Sequence, residues 1–320
     1  MNSPADDYLQ ALGHGVYAID TGFHRPRFDA AYLIVDQGHA AFVDTGTRHA
    51  LPRLLGALSS LGLSLDAVDW VIPTHVHLDH AGGVGPLMQA LPHARLLVHP
   101  RGARHMIDPS ALYQGALAVY GQAEMDRSYG ELVGVDAARV QTSTDGMTLT
   151  LGGRTLELID TPGHALHHHC IWDPVSRGWF TGDTFGISYR ELDNAAGQPW
   201  IFPASTPVQF QPDALRVSID RLLAHAPEAV YLTHYGRLGE VQALGSQLLH
   251  VLDEVVTLGR ALRDDPQRHE ALRQGLRALY LRSARQHGST LTDDAIAEAL
   301  VVDIELNAQG MAVWLDREKR

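Results

Sequence analysis

The sequence of 320 residues contains one cysteine, Cys170, and one lysine, Lys319. A single cysteine cannot form an internal disulfide, and a zinc site built from several thiolates is excluded. No run of about 18 apolar residues is present, so we expect neither a membrane-spanning segment nor a membrane partner. The first ten residues lack the basic and apolar stretches of a secretory signal, which predicts a cytoplasmic protein.

Positive charge is also scarce, because 25 Lys and Arg residues stand against 37 Asp and Glu residues and give a net charge of −12. Binding to nucleic acid depends on a basic surface, so no nucleic-acid partner is expected. Hydrophobic residues make up 45% of the chain, the balance of a globular protein with a large core. The expected partner is a small-molecule substrate, and the sequence leaves open whether two copies form a homodimer.

Short apolar runs of strand-like pattern extend through most of residues 14–236 and predict a strand-rich domain. Residues 101–138 interrupt this pattern with helical spacing and are predicted to form a helical insert. From residue 237 on, apolar residues recur at steps of three and four, as in amphipathic helices. We therefore predict a first domain over residues 1–236 and a C-terminal helical region over residues 237–320.

A cluster of three histidines and one aspartate directly follows the apolar run Val68–Ile72. Alternate residues of an extended segment point the same way, so His75 and His77 can share one metal ion. The chain must turn after them at a glycine pair, which lets Asp79 and His80 face a second ion. Imidazole and carboxylate ligands suit zinc, iron or manganese. The alternative is a histidine-rich surface loop, but four such residues within six positions behind a buried strand favour a metal site.

Three further residues of the same chemistry also follow predicted strands. His164 comes after a Pro-Gly turn, Asp183 after a glycine, and His234 directly after an apolar run. Each is ambiguous alone, since a turn histidine or a capping aspartate explains it equally well. All lie at strand ends, however, where the loops of layered α/β folds carry functional sites.

Together these motifs resemble the signature of the metallo-β-lactamase superfamily over roughly residues 14–236. The resemblance implies an α+β fold, a four-layer αβ/βα sandwich with the site at one edge, to which this chain adds a C-terminal helical appendage. It also implies that one metal ion is held by His75, His77 and His164, the second by Asp79, His80 and His234, and that Asp183 bridges the two. Asp44 matches a family aspartate that supports a ligand without coordinating the metal.

The resemblance to the hydrolytic branches of the superfamily (glyoxalase II-like thioesterases and lactonases) predicts a reaction. We expect two divalent metal ions, zinc before iron or manganese, and hydrolysis of an ester, thioester or lactone by a metal-bridging hydroxide. Asp79 would orient the hydroxide and accept a proton. Tyr235 directly follows the last ligand and is a candidate proton donor, although it could equally be a packed core residue. Two other functions stay open, a di-iron redox or oxygen-binding protein and a signal-binding regulatory protein with little turnover.

Two segments near these motifs allow two interpretations each. His167, His168 and His169 could form a third metal site or serve as structural residues. The tyrosines of the insert could line a substrate cleft, or the insert could only extend the core or make a dimer contact. These tyrosines are Tyr113, Tyr120 and Tyr129.

Overall fold

The structure is a computed structural model that describes residues 7–205 and 208–318. The chain folds into two compact units. The first contains the described residues up to Asp160 together with His167–Gly182 and Glu228–Arg237, and the second contains Thr161–Leu166, Asp183–Pro227 and the chain from Leu238 on. The second unit therefore draws on residues earlier in the chain than the predicted C-terminal region. The domain boundary at residue 236 stays a prediction.

The first unit contains a seven-stranded sheet whose spatial order follows the chain. Its strands are β1 (Leu9–Gly13), β2 (Val16–Asp20), β3 (Ala30–Asp36), β4 (His39–Val43), β5 (Val68–Ile72), β6 (Arg95–Val98) and β7 (Val140–Thr142). Strands β1 to β4 are antiparallel to their neighbours, whereas β4 to β7 run parallel. The β3–β4 hairpin turns at Gln37 and Gly38, both with positive φ, which suits a two-residue hairpin turn.

A second sheet of six strands belongs to the same unit, in the order β13-β12-β11-β10-β9-β8. The strands are β8 (Met147–Leu151), β9 (Arg154–Asp160), β10 (His169–Asp173), β11 (Gly178–Gly182), β12 (Ala229–Leu232) and β13 (Gly236–Leu238). Strands β8 to β11 are antiparallel, and β11 pairs with β12 in parallel.

Strand β3 shows how one sheet serves two cores, because successive side chains point to opposite faces. Tyr32 belongs to the core between the two sheets, where its ring meets Phe180 edge-on at a centroid distance of 5.3 Å. Leu33 belongs to the core on the outer face, which helices cover. The helices of this unit are α1 (Leu51–Ser60), α2 (Leu78–Ala81), α3 (Val84–Ala90), α4 (Pro100–Ile107), α5 (Ser110–Tyr120) and α6 (Gln122–Glu124), and a wide helical turn over Met125–Tyr129 follows. The predicted insert is thus helical over most of its length and lies in the first unit.

The second unit is helical. It contains α7 (Pro212–Ala224), α8 (Val241–Ala261), α9 (Arg268–His287), α10 (Asp293–Ala299) and α11 (Val301–Glu318). The predicted apolar face of α8 is buried, as Leu244, Leu248 and Leu252 show. Between Asp183 and α7, the residues that the structure describes have little regular structure beyond a short helical turn over Arg190–Leu192. None of the helices in the described part of the chain is long and apolar enough to cross a membrane. The cytoplasmic location stays a prediction.

Candidate metal centre

The histidine motif leaves the sheet at the carboxyl end of β5. The backbone stays extended as far as His77 (φ −65°, ψ 152°), and α2 begins at the next residue. The alternation predicted from the sequence therefore holds, and His75 Nε2 lies 2.8 Å from His77 Nδ1. His75 is buried and His77 is partly exposed. The two rings thus face the same space at the end of the strand.

Helix α2 turns the next two candidate ligands toward His234, which follows β12. Asp79 Oδ2 lies 3.7 Å from His80 Nε2 and 3.4 Å from His234 Nε2. Each of these three residues offers one ligand atom within 4.8 Å of the other two. Two imidazole nitrogens and a carboxylate oxygen form a donor set that suits zinc, iron or manganese.

The hydrogen bonds of the two imidazoles decide which nitrogen faces Asp79. His234 Nδ1 lies 2.8 Å from the carbonyl oxygen of Phe28, and a carbonyl only accepts, so Nδ1 carries the proton. His80 Nδ1 lies 2.9 Å from a carboxylate oxygen of Asp44 and donates in the same way. In the neutral form of each ring, Nε2 then presents a lone pair to the Asp79 carboxylate. Two acceptors in such proximity repel unless a proton or a metal cation lies between them, so the arrangement fits a metal ion.

Asp44 is buried at the junction of three strand ends and holds His80 from the side opposite Asp79. The backbone N–H of Thr74 donates to its Oδ1 at 2.7 Å, and Thr233 Oγ1 donates to its Oδ2 at 2.8 Å. The structure thus places Asp44 in contact with a candidate ligand, as expected from the sequence. Thr74 and Thr233 are additional contributors that sequence reasoning did not single out.

A short loop fixes the Phe28 carbonyl that orients His234. Its ends are joined because Thr21 N donates to the Asp29 carbonyl at 3.0 Å and Thr21 Oγ1 donates to Asp29 Oδ2 at 2.8 Å. Ala30 N donates to the Thr233 carbonyl at 2.9 Å and fastens the loop to the residue before His234. Burial raises the pKa of the Asp29 carboxyl to about 7, against the opposing effect of the nearby histidines.

The second unit contributes the other two predicted ligands. His164 is fully buried, its Nδ1–H donates to the Ala204 carbonyl at 3.1 Å, and its Nε2 lies 3.4 Å from Asp183 Oδ2. Gly163 makes this turn possible: its φ is +137°, and an added Cβ would lie 2.3 Å from the backbone of Leu215 in α7. The first unit thus gathers five of the seven predicted ligands and the second gathers two. Their roles as ligands stay predictions.

A family model described as the metallo-beta-lactamase superfamily matches residues 24–234, more than half of the chain. The chain belongs to the metallo-beta-lactamase superfamily. The fold class predicted from the sequence is therefore confirmed. Helices α8 to α11 lie beyond the matched residues.

Three relatives show how far the similarity extends. The metallo-beta-lactamase fold-containing protein ST1585 of Sulfurisphaera tokodaii is 25% identical over 69% of this chain and 78% of its own. The crystal structure of ST1585 from Sulfolobus tokodaii has a TM-score of 0.65 and 21% identity, covering 93% of this chain and 98% of that one. TTHA1429, a metallo-beta-lactamase family protein from Thermus thermophilus, also gives a TM-score of 0.65 at 21% identity, covering 97% and 95%. A hydroxyacylglutathione hydrolase of Cupriavidus taiwanensis is 35% identical over 45% of this chain and 43% of its own length. The two solved structures show the same fold.

His168 and His169 lie close to the chain segment that contains His75. His169 lies between Ser143 Oγ, 2.8 Å from Nδ1, and the Pro73 carbonyl, 3.0 Å from Nε2. Burial is the main cause that lowers the pKa of His169 to about 3, so its ring is neutral. The ring of His168 stacks on His75 at a centroid distance of 4.8 Å. These contacts favour the structural alternative for His169.

The tyrosines of interest are mostly packed. Tyr235 is buried in the core between the sheets, and burial raises its pKa to about 12, so the hydroxyl stays protonated at neutral pH. Its role as a proton donor stays a prediction. Tyr129 is also buried and packs against Phe23 and Tyr120 at centroid distances of 5.5 and 5.1 Å. Tyr113 lines a separate surface groove of the insert.

Proposed function

We propose that the chain is a metal-dependent hydrolase of an ester, thioester or lactone that uses two divalent cations, with zinc as the expected metal. The observation that carries the proposal is the convergence of Asp79, His80 and His234, with the Nδ1 atoms of both rings already committed elsewhere. A hydrogen bond donated by Nδ1 fixes the tautomer of each ring and the direction in which Nε2 points. Imidazole ligands of metals are usually held in this way. The similarity to a hydroxyacylglutathione hydrolase supports the choice of a hydrolytic reaction.

The proposed ligand sets follow the superfamily pattern. One cation would be held by His75, His77 and His164, the other by Asp79, His80 and His234, and Asp183 would serve both. All seven donors are imidazole or carboxylate groups, and the chain has one thiol, on the buried Cys170. This composition fits cations that accept nitrogen and oxygen ligands.

Two such cations, when bound, lower the pKa of a shared water molecule toward neutrality and stabilise negative charge that develops on the substrate. Within the first unit, Asp79 is the proposed group that orients the attacking water and takes up its proton. Its side chain is 23% exposed, whereas the side chain of His80 is fully buried, so water can reach this carboxylate. The rigid hydrogen bonds of Asp44 and Phe28 keep the two imidazoles in place while the proton moves.

The direct test is metal analysis of the purified protein combined with assays on a panel of esters, thioesters and lactones. We expect two equivalents of metal and measurable hydrolysis of at least one class. Asp183→Ala should weaken the binding of both equivalents, and full occupancy in that variant would contradict the shared role of Asp183. Strong visible absorption with iron bound would favour a di-iron redox protein instead. Full metal loading without turnover on any panel member would favour a regulatory protein.

A further inference from the structure

The last helix, α11, carries polar side chains on its buried face, where apolar residues are expected. Asp303 and Asn307 are one helical turn apart and point the same way, among the buried Ile304, Ala308 and Met311. A polar side chain on such a face is costly unless it is fully hydrogen-bonded. Their partners therefore indicate what the helix does.

Asn307 uses its whole amide group. Its Oδ1 accepts from the backbone N–H of Ser205 at 2.7 Å, and its Nδ2 donates to the Pro203 carbonyl at 3.2 Å and to Tyr280 Oη at 2.9 Å. Ser205 Oγ also donates to the Asn307 carbonyl at 3.4 Å. The side chain is only 1% exposed, so water cannot replace these bonds.

The residue held between these contacts is Ala204. Asn307 binds the residue before it and the residue after it, which fixes the orientation of the Ala204 carbonyl. That carbonyl accepts the Nδ1–H of His164 at 3.1 Å. Phe202, two residues earlier, exchanges backbone hydrogen bonds with Ile187 at 2.9 and 3.1 Å, and Asn307 holds the residues on both sides of Ala204 that follow it.

We propose that Asn307 is a positioning residue for His164. By holding the Ala204 carbonyl, it fixes the tautomer and the ring orientation that aim His164 Nε2 toward Asp183, 3.4 Å away. The inference rests on the proposed function in that it takes His164 to be a metal ligand. Residue 307 lies outside residues 24–234, which the family model matches, so Asn307 is not one of the matched positions.

A second contact from the same face of α11 supports this assignment. Asp303 Oδ1 accepts from Tyr189 Oη at 3.1 Å, and Tyr189 lies six residues after Asp183. The same face of the helix therefore also holds a residue in the chain segment that follows Asp183. Further along, Arg317 donates to the Phe210 carbonyl at 2.6 Å.

The test compares Asn307→Leu with Tyr280→Phe. Asn307→Leu removes the bonds to Pro203 and Ser205, while Tyr280→Phe removes only the hydroxyl that accepts from Asn307 Nδ2. Metal dissociation constants are measured by competition with a chromophoric zinc chelator, with circular dichroism as the check on folding. We expect Asn307→Leu to raise the dissociation constant of one of the two zinc ions by about 10- to 100-fold. Tyr280→Phe should leave both dissociation constants within about twofold of the wild-type values.

A readout in the metal-free protein separates positioning from stability alone. The Nδ1–H of His164 gives an imidazole N–H signal in nuclear magnetic resonance spectra, assigned by its absence in His164→Gln. It should persist in Tyr280→Phe and be shifted or lost in Asn307→Leu. If Asn307→Leu does not fold, Asn307→Ser takes its place in both measurements.

The inference is overturned if the Asn307 variant keeps both zinc affinities and the His164 signal, or if Tyr280→Phe shows the same losses. A wild-type protein that binds zinc but hydrolyses no member of the panel would overturn the proposed reaction and leave the role of Asn307 standing. A wild-type protein that binds no metal would overturn both.

Discussion

The two units of the molecule bury polar side chains in different settings. In the first unit, Asp44 and Thr233 lie at the ends of regular strands and hold the imidazole of His80 directly or through one neighbour. In the second unit, Asn307 and Ser283 project from helices and hold an irregular segment through backbone or indole groups. Strand ends arrive already fixed by the sheet ladder, so a single carboxylate suffices to orient a ligand. In the irregular segment, the backbone pairing between Ile187 and Phe202 ends before Ala204, and helices supply hydrogen bonds beyond it.

The largest effect on metal binding and hydrolysis is expected for changes at the proposed ligands of the first unit. His77→Ala and His80→Ala should each remove most of one metal equivalent and abolish hydrolysis, because a lost imidazole leaves a cation short of a ligand. Metal content and kcat/KM measure the result. His93→Ala, a change at an exposed histidine outside the motifs, is the control and should behave as the wild type. Retention of both equivalents in His80→Ala would remove that residue from the ligand set.

The second largest effect is expected for a change at Asp44, because its carboxylate contacts His80. We expect Asp44→Ala to lower metal affinity by about 10- to 100-fold. The backbone at Asp44 is left-handed (φ 56°), a conformation that asparagine tolerates better than alanine. Asp44→Asn therefore separates strain from the loss of the carboxylate. If both variants lose stability while metal affinity is unchanged, Asp44 serves the fold and not the ligand.

A change inside the second unit, away from His164 and its partners, should affect stability alone. Ser283 Oγ accepts from the indole N–H of Trp200 at 3.0 Å, and both residues are buried. Ser283→Ala leaves that N–H without its acceptor and should lower the free energy of unfolding by about 1–3 kcal/mol. Urea denaturation measures the loss. A change in zinc affinity in this folded variant would contradict the prediction. It would show that helix residues far from His164 also affect the metal ligands.

The smallest effect is expected at Tyr235. The phenol lies in the core between the sheets, and burial raises its pKa to about 12. Tyr235→Phe keeps the ring and its packing, so we expect kcat to stay within about threefold and the free energy of unfolding to change by about 1 kcal/mol or less. A fall in kcat of about 100-fold with unchanged KM would restore Tyr235 as the proton donor.

The sequence was sufficient to predict how side chains point where the candidate ligands lie within one continuous segment. The motif from His75 to His80 is one continuous segment behind a buried strand, so alternation and a glycine turn predict how its side chains point. The same reasoning failed for strand β1 (Leu9–Gly13), which was not predicted. This edge strand is largely exposed, and its side chains carry little apolar alternation.

Only the tertiary structure decided what holds the candidate ligands. The carbonyl of Phe28 orients His234 across more than 200 positions of sequence. Backbone carbonyls are the same at every residue, so no sequence pattern can mark the one that will accept the bond. Asn307 is a comparable case, since an asparagine in a helix gives no sign of which distant backbone it will bind. The sequence by itself determined which residue types are available to bind metal and which strands present them. The hydrogen bonds that aim these residues depend on chain segments that meet only after folding, because such bonds form between groups close in space and not in sequence.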